Sequence, residues 1–203
     1  MGCPRLVHVI SKILTHYLGF VAITSLFDVQ NQEHFQNNII VGFWHGDSLT
    51  MQLLLRKLSG QFKGIKVIIT TDARGSYIEG LLKVYGAEAV RMPDGLRIRH
   101  FLEALQRIGK DEGILAGALD GPTGPIHCPK KLLFKLAETA QKEVVCVSFH
   151  YSRVLRLWKR WDKYAIPLPF SSITVKSEVL SFKKEGDGHD LSRADCRRRQ
   201  RNS

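Results

Sequence analysis

Two short strings of this chain hold the residue types best suited to chemistry: Phe43-Trp44-His45-Gly46-Asp47 and Leu119-Asp120-Gly121-Pro122-Thr123-Gly124-Pro125. Each directly follows an apolar run, as a core strand does when it delivers a polar side chain to the carboxyl edge of a sheet, where open α/β folds place their ligands. Histidine titrates nearest neutrality, so His45 is the candidate general base. The plainer reading is a strand-end histidine satisfied by neighbouring backbone. A base histidine works best when a carboxylate fixes its tautomer, and Asp47 and Asp120 are the two candidates. Asp47 projects to the same side as His45 if the chain is still extended there, and otherwise caps the next helix. Asp120 comes from a second strand, or else bonds the backbone of its own tight turn.

Gly121 and Gly124, flanked by Pro122 and Pro125 around Thr123, let backbone approach a ligand closely and could supply amide donors to an oxyanion or phosphate. The alternative is a stiff turn that only enters the next helix. Lys130 and Lys131 follow and could bind an anionic head group. Arg74-Gly75-Ser76 precedes a helix, whose N-terminus attracts anions, so Arg74 and Gly75 are the first choice for acceptor binding. Arg91, at a strand end, is the second. Ordinary surface charge accounts for any of these cations equally well. No metal or tightly held cofactor is expected.

These residues need elements to position them. Leu6, Val9, Ile10, Ile13, Leu14, Tyr17 and Leu18 recur at helical spacing, predicting an amphipathic helix over about 5–18 with Lys12, His8 and His16 on its polar face. That helix packs on the core or lies on a membrane surface. Strands are expected at 24–29, 39–43, 67–70, 89–92, 114–119 and 144–149. Helices are expected from Asp47 or Ser48 to Leu58, then at 77–85, 96–108 and 130–141, with Gly86 and Gly109 as stops. The alternation predicts a single α/β domain over 1–182, its mostly parallel central sheet flanked by helices. A basic, disordered tail is expected over 183–203, ending in Arg197-Arg198-Arg199-Gln200-Arg201.

Composition narrows the class. The chain has 203 residues, 44% hydrophobic and 24% charged, enough for a folded body with a real core. The longest apolar region, 17–27, is too short to span a bilayer, and no small-residue cleavage pattern marks a secretory leader. Cys3, Cys128, Cys146 and Cys196 lack metal-knuckle or disulfide-framework spacing and fit a reducing compartment. Thirty Lys and Arg against nineteen Asp and Glu give a formal charge of +11, favouring anionic partners. No zinc-finger, RNP-like or recognition-helix pattern supports specific nucleic-acid binding. Between Arg153 and Lys163, five further cations interleave with Trp158 and Trp161, which suits an anionic lipid interface. Trp161 and Asp162 are assigned instead to fixing the proline-containing turn at 166–170.

Four motifs occur in order: Trp44-His45-Gly46, Asp72-Ala73-Arg74-Gly75, the Asp120 to Pro125 string, and Trp161-Asp162 followed by Ile166-Pro167-Leu168-Pro169-Phe170. Over about residues 5–180 the chain resembles a bacterial domain of unknown function grouped with the lysophospholipid acyltransferase superfamily. The resemblance implies acyl transfer from acyl-CoA or acyl carrier protein to a hydroxyl of a lysophospholipid or saccharolipid, with His45 as base. It also implies peripheral attachment to the inner, cytoplasmic face of a membrane. Two departures stand out. Thr50 occupies the family's aspartate position, four spacers beyond the histidine, and Asp120-Gly121-Pro122-Thr123 replaces a block that normally ends in arginine. The alternative that Thr50 raises is a catalytically degenerate lipid-binding protein of the same fold.

Overall fold

The computed structural model describes residues 4–71, 73–92, 98–121 and 123–180; the side chains of 4–7, 73–74 and 98–102 are not described, and the expected tail lies outside these residues. The elements are α1 (Pro4–Thr24), β1 (Leu26–Val29), β2 (Ile40–Phe43), α2 (Ser48–Ser59), β3 (Lys66–Thr70), α3 (Ala73–Val84), β4 (Glu88–Met92), α4 (Ile98–Lys110), β5 (Leu115–Ala118), α5 (Lys131–Ala140), β6 (Val144–Tyr151), β7 (Val154–Leu157), β8 (Tyr164–Pro167) and β9 (Ser172–Leu180). Seven strands form one sheet in the order β1-β9-β6-β2-β5-β3-β4, and β7 pairs β8 in a separate two-stranded ribbon.

The predicted single α/β domain with a mostly parallel sheet is what forms. Every pairing in the large sheet is parallel except β6 with β9. Strand alternation splits the core between the two faces. On β2, Val41 and Phe43 pack with Met51, Leu54 and Leu55 of α2 and with Leu18 and Val21 of α1. Ile40, on the opposite face, packs with Leu105 of α4 and Leu133, Phe134 and Leu136 of α5.

The N-terminal helix runs six residues further than its periodicity suggests. It docks on α3 where Ser11 Oγ donates to the Tyr77 carbonyl at 3.3 Å, and a Cβ on Gly80 would lie 2.5 Å from that hydroxyl. Tyr17 Oη donates to the Pro167 carbonyl at 2.6 Å, tying α1 to the ribbon. The helix thus packs on the core, yet Val9, Ile13, Phe20 and Ile23 remain exposed on its other side. Among the described residues no helix is long and apolar enough to cross a membrane. Cys128 is disulfide-bonded, against the expectation of unpaired thiols, and Cys146 is a buried thiol outside any disulfide.

Candidate functional site

The register of the two central strands brings the two motifs together. Phe43 of β2 lies beside Ala118 of β5, so the residues that follow, His45 and Asp120, emerge at the same sheet edge. Leu119 N–H donates to the Phe43 carbonyl at 2.8 Å, extending the ladder one step further. The chain then turns through a short 3₁₀ segment at His45–Asp47 into α2.

Asp120 is fully buried and is not the partner of the His45 ring. Its Oδ1 accepts the His45 backbone N–H at 2.8 Å and its Oδ2 accepts the His127 backbone N–H at 3.3 Å. It therefore holds the two backbones that carry the histidines. Burial raises its carboxyl above the ordinary range, opposed by those backbone donors.

Asp47 does not meet the ring either. Its Oδ1 accepts the Tyr151 phenol at 2.8 Å, and that phenolic oxygen lies 3.0 Å from Thr50 Oγ1. A phenol has one proton; donated to Asp47, it leaves the phenolic oxygen to accept from Thr50. Burial pushes the Asp47 carboxyl up to about 6, against the opposing effects of Tyr151 and Arg156. Burial, and then Asp47 itself, hold the Tyr151 phenol well above its usual value. Thr50, at the position where the resemblance leads one to expect an aspartate, is thus committed to this buried cluster.

The carboxylate on the ring is Asp162. His45 Nδ1 lies 2.8 Å from Asp162 Oδ2, and the Asp162 side chain is fully buried. Arg160 grips the same carboxylate with two bonds, Nε to Oδ1 at 2.9 Å and Nη2 to Oδ2 at 2.7 Å. Burial alone would raise this carboxyl, but the hydrogen bonds from Arg160 and then His45 overcome it and hold it below the usual range. An anionic partner on Nδ1 favours the tautomer protonated there, leaving Nε2 as the nitrogen able to take a substrate proton. The expected orienters, Asp47 and Asp120, are corrected to Asp162. It lies in the turn of the β7–β8 ribbon, where Trp161 also packs on His45 with ring centroids 5.3 Å apart.

Two glycines make this approach possible. A Cβ on Gly46 would sit 2.2 Å from the Asp162 carbonyl oxygen, and one on Gly124 would sit 2.6 Å from the Trp161 ring. Gly124 also has φ +68°, a left-handed conformation that suits glycine.

His45 lies on the wall of an apolar cavity of about 170 Å³. The β3–β5 ladder has only Lys66 beside Leu115 and Val67 beside Ala116, and the residues that follow on each strand, Ile68 to Thr70 and Gly117 to Leu119, line the cavity. Ser48 and Gln52 of α2, Ile78 of α3 and Leu132 and Leu133 of α5 close it, with Gly121 and Lys130 also on the wall. Of the other candidates, Gly75 is buried at the start of α3, where a Cβ would meet the Thr70 carbonyl at 1.9 Å. Gly124 is buried and Thr123 exposed. Pro122 and the Arg74 side chain lie outside the described residues. Arg91 pairs with Glu79 on the surface, which holds that carboxyl below the usual range. Among the described residues no group of three or more His, Cys, Asp and Glu could hold a metal ion.

No family model matches the chain. An uncharacterised protein of Rickettsia prowazekii is 28% identical over 180 residues, covering 84% of this chain and 79% of that protein. Among solved structures, the crystal structure of the 1-acyl-sn-glycerophosphate (LPA) acyltransferase PlsC from Thermotoga maritima is similar over 95% of this chain and 78% of its own, with 18% identity and a TM-score of 0.54. The α/β fold of this chain is therefore similar to that of a known acyltransferase.

Proposed function

We propose that this protein is an acyltransferase that moves an acyl chain from acyl-CoA or acyl carrier protein to a hydroxyl of a lysophospholipid or saccharolipid. The observation that carries the reading is the His45–Asp162 pair on the wall of an apolar cavity, within a fold similar to that of an acyltransferase. His45 takes the proton of the acceptor hydroxyl as its oxygen attacks the thioester carbonyl. The new C–O bond forms, the C–S bond breaks, and the proton passes from the imidazolium to the departing thiolate. Asp162 stabilises the imidazolium between these steps. The cavity takes an alkyl chain, and Lys130, with Arg74, serves the anionic groups of the substrates.

Peripheral attachment to a membrane belongs to the same reading. Val9, Ile13, Phe20 and Ile23 of α1 are exposed together with Leu26 and Phe170, and Phe20 and Phe170 meet edge to face at 6.2 Å. An apolar helix face beside Lys12 and His16 suits the boundary between acyl chains and anionic head groups. The degenerate lipid-binding reading rested on Thr50; a histidine that already has Asp162 on Nδ1 argues against it.

The test is mass spectrometry of product after purified protein is given acyl-CoA or acyl carrier protein with a panel of lysophospholipids and saccharolipid precursors. Product is expected from the natural sequence and none above background from His45→Ala with unchanged circular dichroism. Lipid binding with no product across the panel would overturn the reading.

A further inference from the structure

Asp162 meets the His45 ring through one oxygen, and a carboxylate held at one point can still turn about its Cβ–Cγ bond, a torsion with broad, two-fold preferences. Arg160 removes that freedom. Its Nε donates to Oδ1 at 2.9 Å and its Nη2 to Oδ2 at 2.7 Å, so both oxygens are fixed against the guanidinium fork while Oδ2 also lies 2.8 Å from His45 Nδ1. The arginine is itself held. Its backbone N–H donates to the Leu157 carbonyl at 3.0 Å, its carbonyl accepts the Lys163 N–H at 3.1 Å, and its guanidinium lies over the Tyr164 ring, 5.0 Å from the centroid. Both ends of the grip therefore belong to the turn between β7 and β8.

This contact differs from an ordinary surface ion pair, which is worth little because water competes for both partners. The Asp162 side chain is 0% exposed, and a carboxylate so placed needs a cation to offset its lost hydration. Arg160 is not among the residues that line the cavity, so it acts on the chemistry through Asp162. A lysine would bring the same charge but a single ammonium in place of the planar fork. We propose that Arg160 is a positioning residue for acyl transfer, its fork holding the Asp162 carboxylate at the angle from which Oδ2 orients the His45 ring. This rests on the acyltransferase reading and deepens it by extending the His45–Asp162 pair to a third residue.

The experiment joins kinetics to a signature of the ring itself. Arg160→Met, Arg160→Lys, Asp162→Asn and the double variant Arg160→Met with Asp162→Asn are compared with the natural protein in the transfer assay, with thermal melts to establish folding. Nitrogen-15 NMR reads the tautomer of the His45 imidazole, its signals assigned by their absence from His45→Ala. The natural protein should show mainly the tautomer protonated on Nδ1, and Arg160→Met a mixture of both. In Arg160→Met kcat should fall about 10–100-fold with KM within about two-fold, a part of what a positioned base contributes. Arg160→Lys should recover that loss only in part. Added to Asp162→Asn, Arg160→Met should cost no more than about two-fold, because the carboxylate it serves is already gone. An unchanged tautomer in Arg160→Met, or a further large loss of rate in the double variant, overturns the proposal. Arg160→Lys keeps the cation where Arg160→Met fails to fold, and the natural rate and tautomer in Arg160→Lys would equally overturn it. A tautomer that shifts in the variants while the natural protein transfers no chain counts against the acyltransferase reading alone.

Discussion

Asp162 reaches His45 only because the residue after the histidine has no side chain. A Cβ at Gly46 would lie 2.2 Å from the Asp162 backbone oxygen, so one of the two chains must move if a methyl is added. Gly46→Ala should lower the melting temperature by several degrees, consistent with about 1–3 kcal/mol for forcing a methyl into packed backbone. It should also cut transfer at least ten-fold by displacing the ribbon that carries Asp162. A full-rate Gly46→Ala would show that the close approach is dispensable. At this scale the sequence is half legible. His45 and Asp120 stand out because each ends an apolar run, and the adjacent strands bring them together. The role of Asp162 is not legible, since it comes from a turn 117 residues away in the chain and no periodicity points from one to the other. Asp47 and Asp120 misled because proximity in sequence or at the sheet edge does not say which carboxylate faces the ring. Tyr151 and two backbone donors claim them instead.

Among the elements, the parallel core was readable from buried apolar runs separated by helical periodicity. The ribbon and β9 were not. β7 is half exposed and β8 ends in a proline, so neither looks like a core strand, and the cations around them suggest surface. β9 alternates buried and exposed residues as an antiparallel partner of β6 does, and it lies outside the run of alternating strands and helices that marks the parallel core. Yet the ribbon is what completes the site. For α1, periodicity identified the helix but not how it divides its apolar residues between core and surface. If the exposed face docks on membrane, Ile13→Glu with Ile23→Glu should weaken sedimentation with anionic vesicles at least ten-fold, since each change removes buried apolar area and adds repulsion. Neither residue is in the core, so the melting temperature should hold. Undiminished vesicle binding would place the membrane contact elsewhere.

The molecule as a whole stores a buried carboxyl beside its site whose desolvation outweighs its partners, and that has a consequence for stability. Asp47 is pushed up to about 6 when folded, from 3.8. A carboxyl whose folded pKa is raised binds protons more tightly in the native state. Its contribution is therefore fully favourable below about pH 4 and is lost as pH rises through about 6. Asp47→Asn does not titrate and keeps an acceptor for Tyr151. Relative to the natural protein, the variant should gain up to about 3 kcal/mol of stability between pH 4 and pH 7. Urea unfolding of both proteins across that range checks this, and a constant difference would contradict the raised pKa. Asp162, held below the usual range, has the opposite sign: its contribution is present above about pH 4 and is lost as pH falls through its lower folded value.

The measurement that tests the account most directly is the steady-state comparison of Asp162→Asn with the natural protein in the transfer assay, at several pH values. Asparagine keeps an acceptor for Arg160 but cannot stabilise an imidazolium. If Asp162 positions His45 for proton transfer, kcat should fall by about 10²–10⁴ while KM changes little and the melting temperature stays within a few degrees. A kcat equal to that of the natural protein, or a loss confined to KM, would contradict the pairing of His45 with Asp162 as the working base.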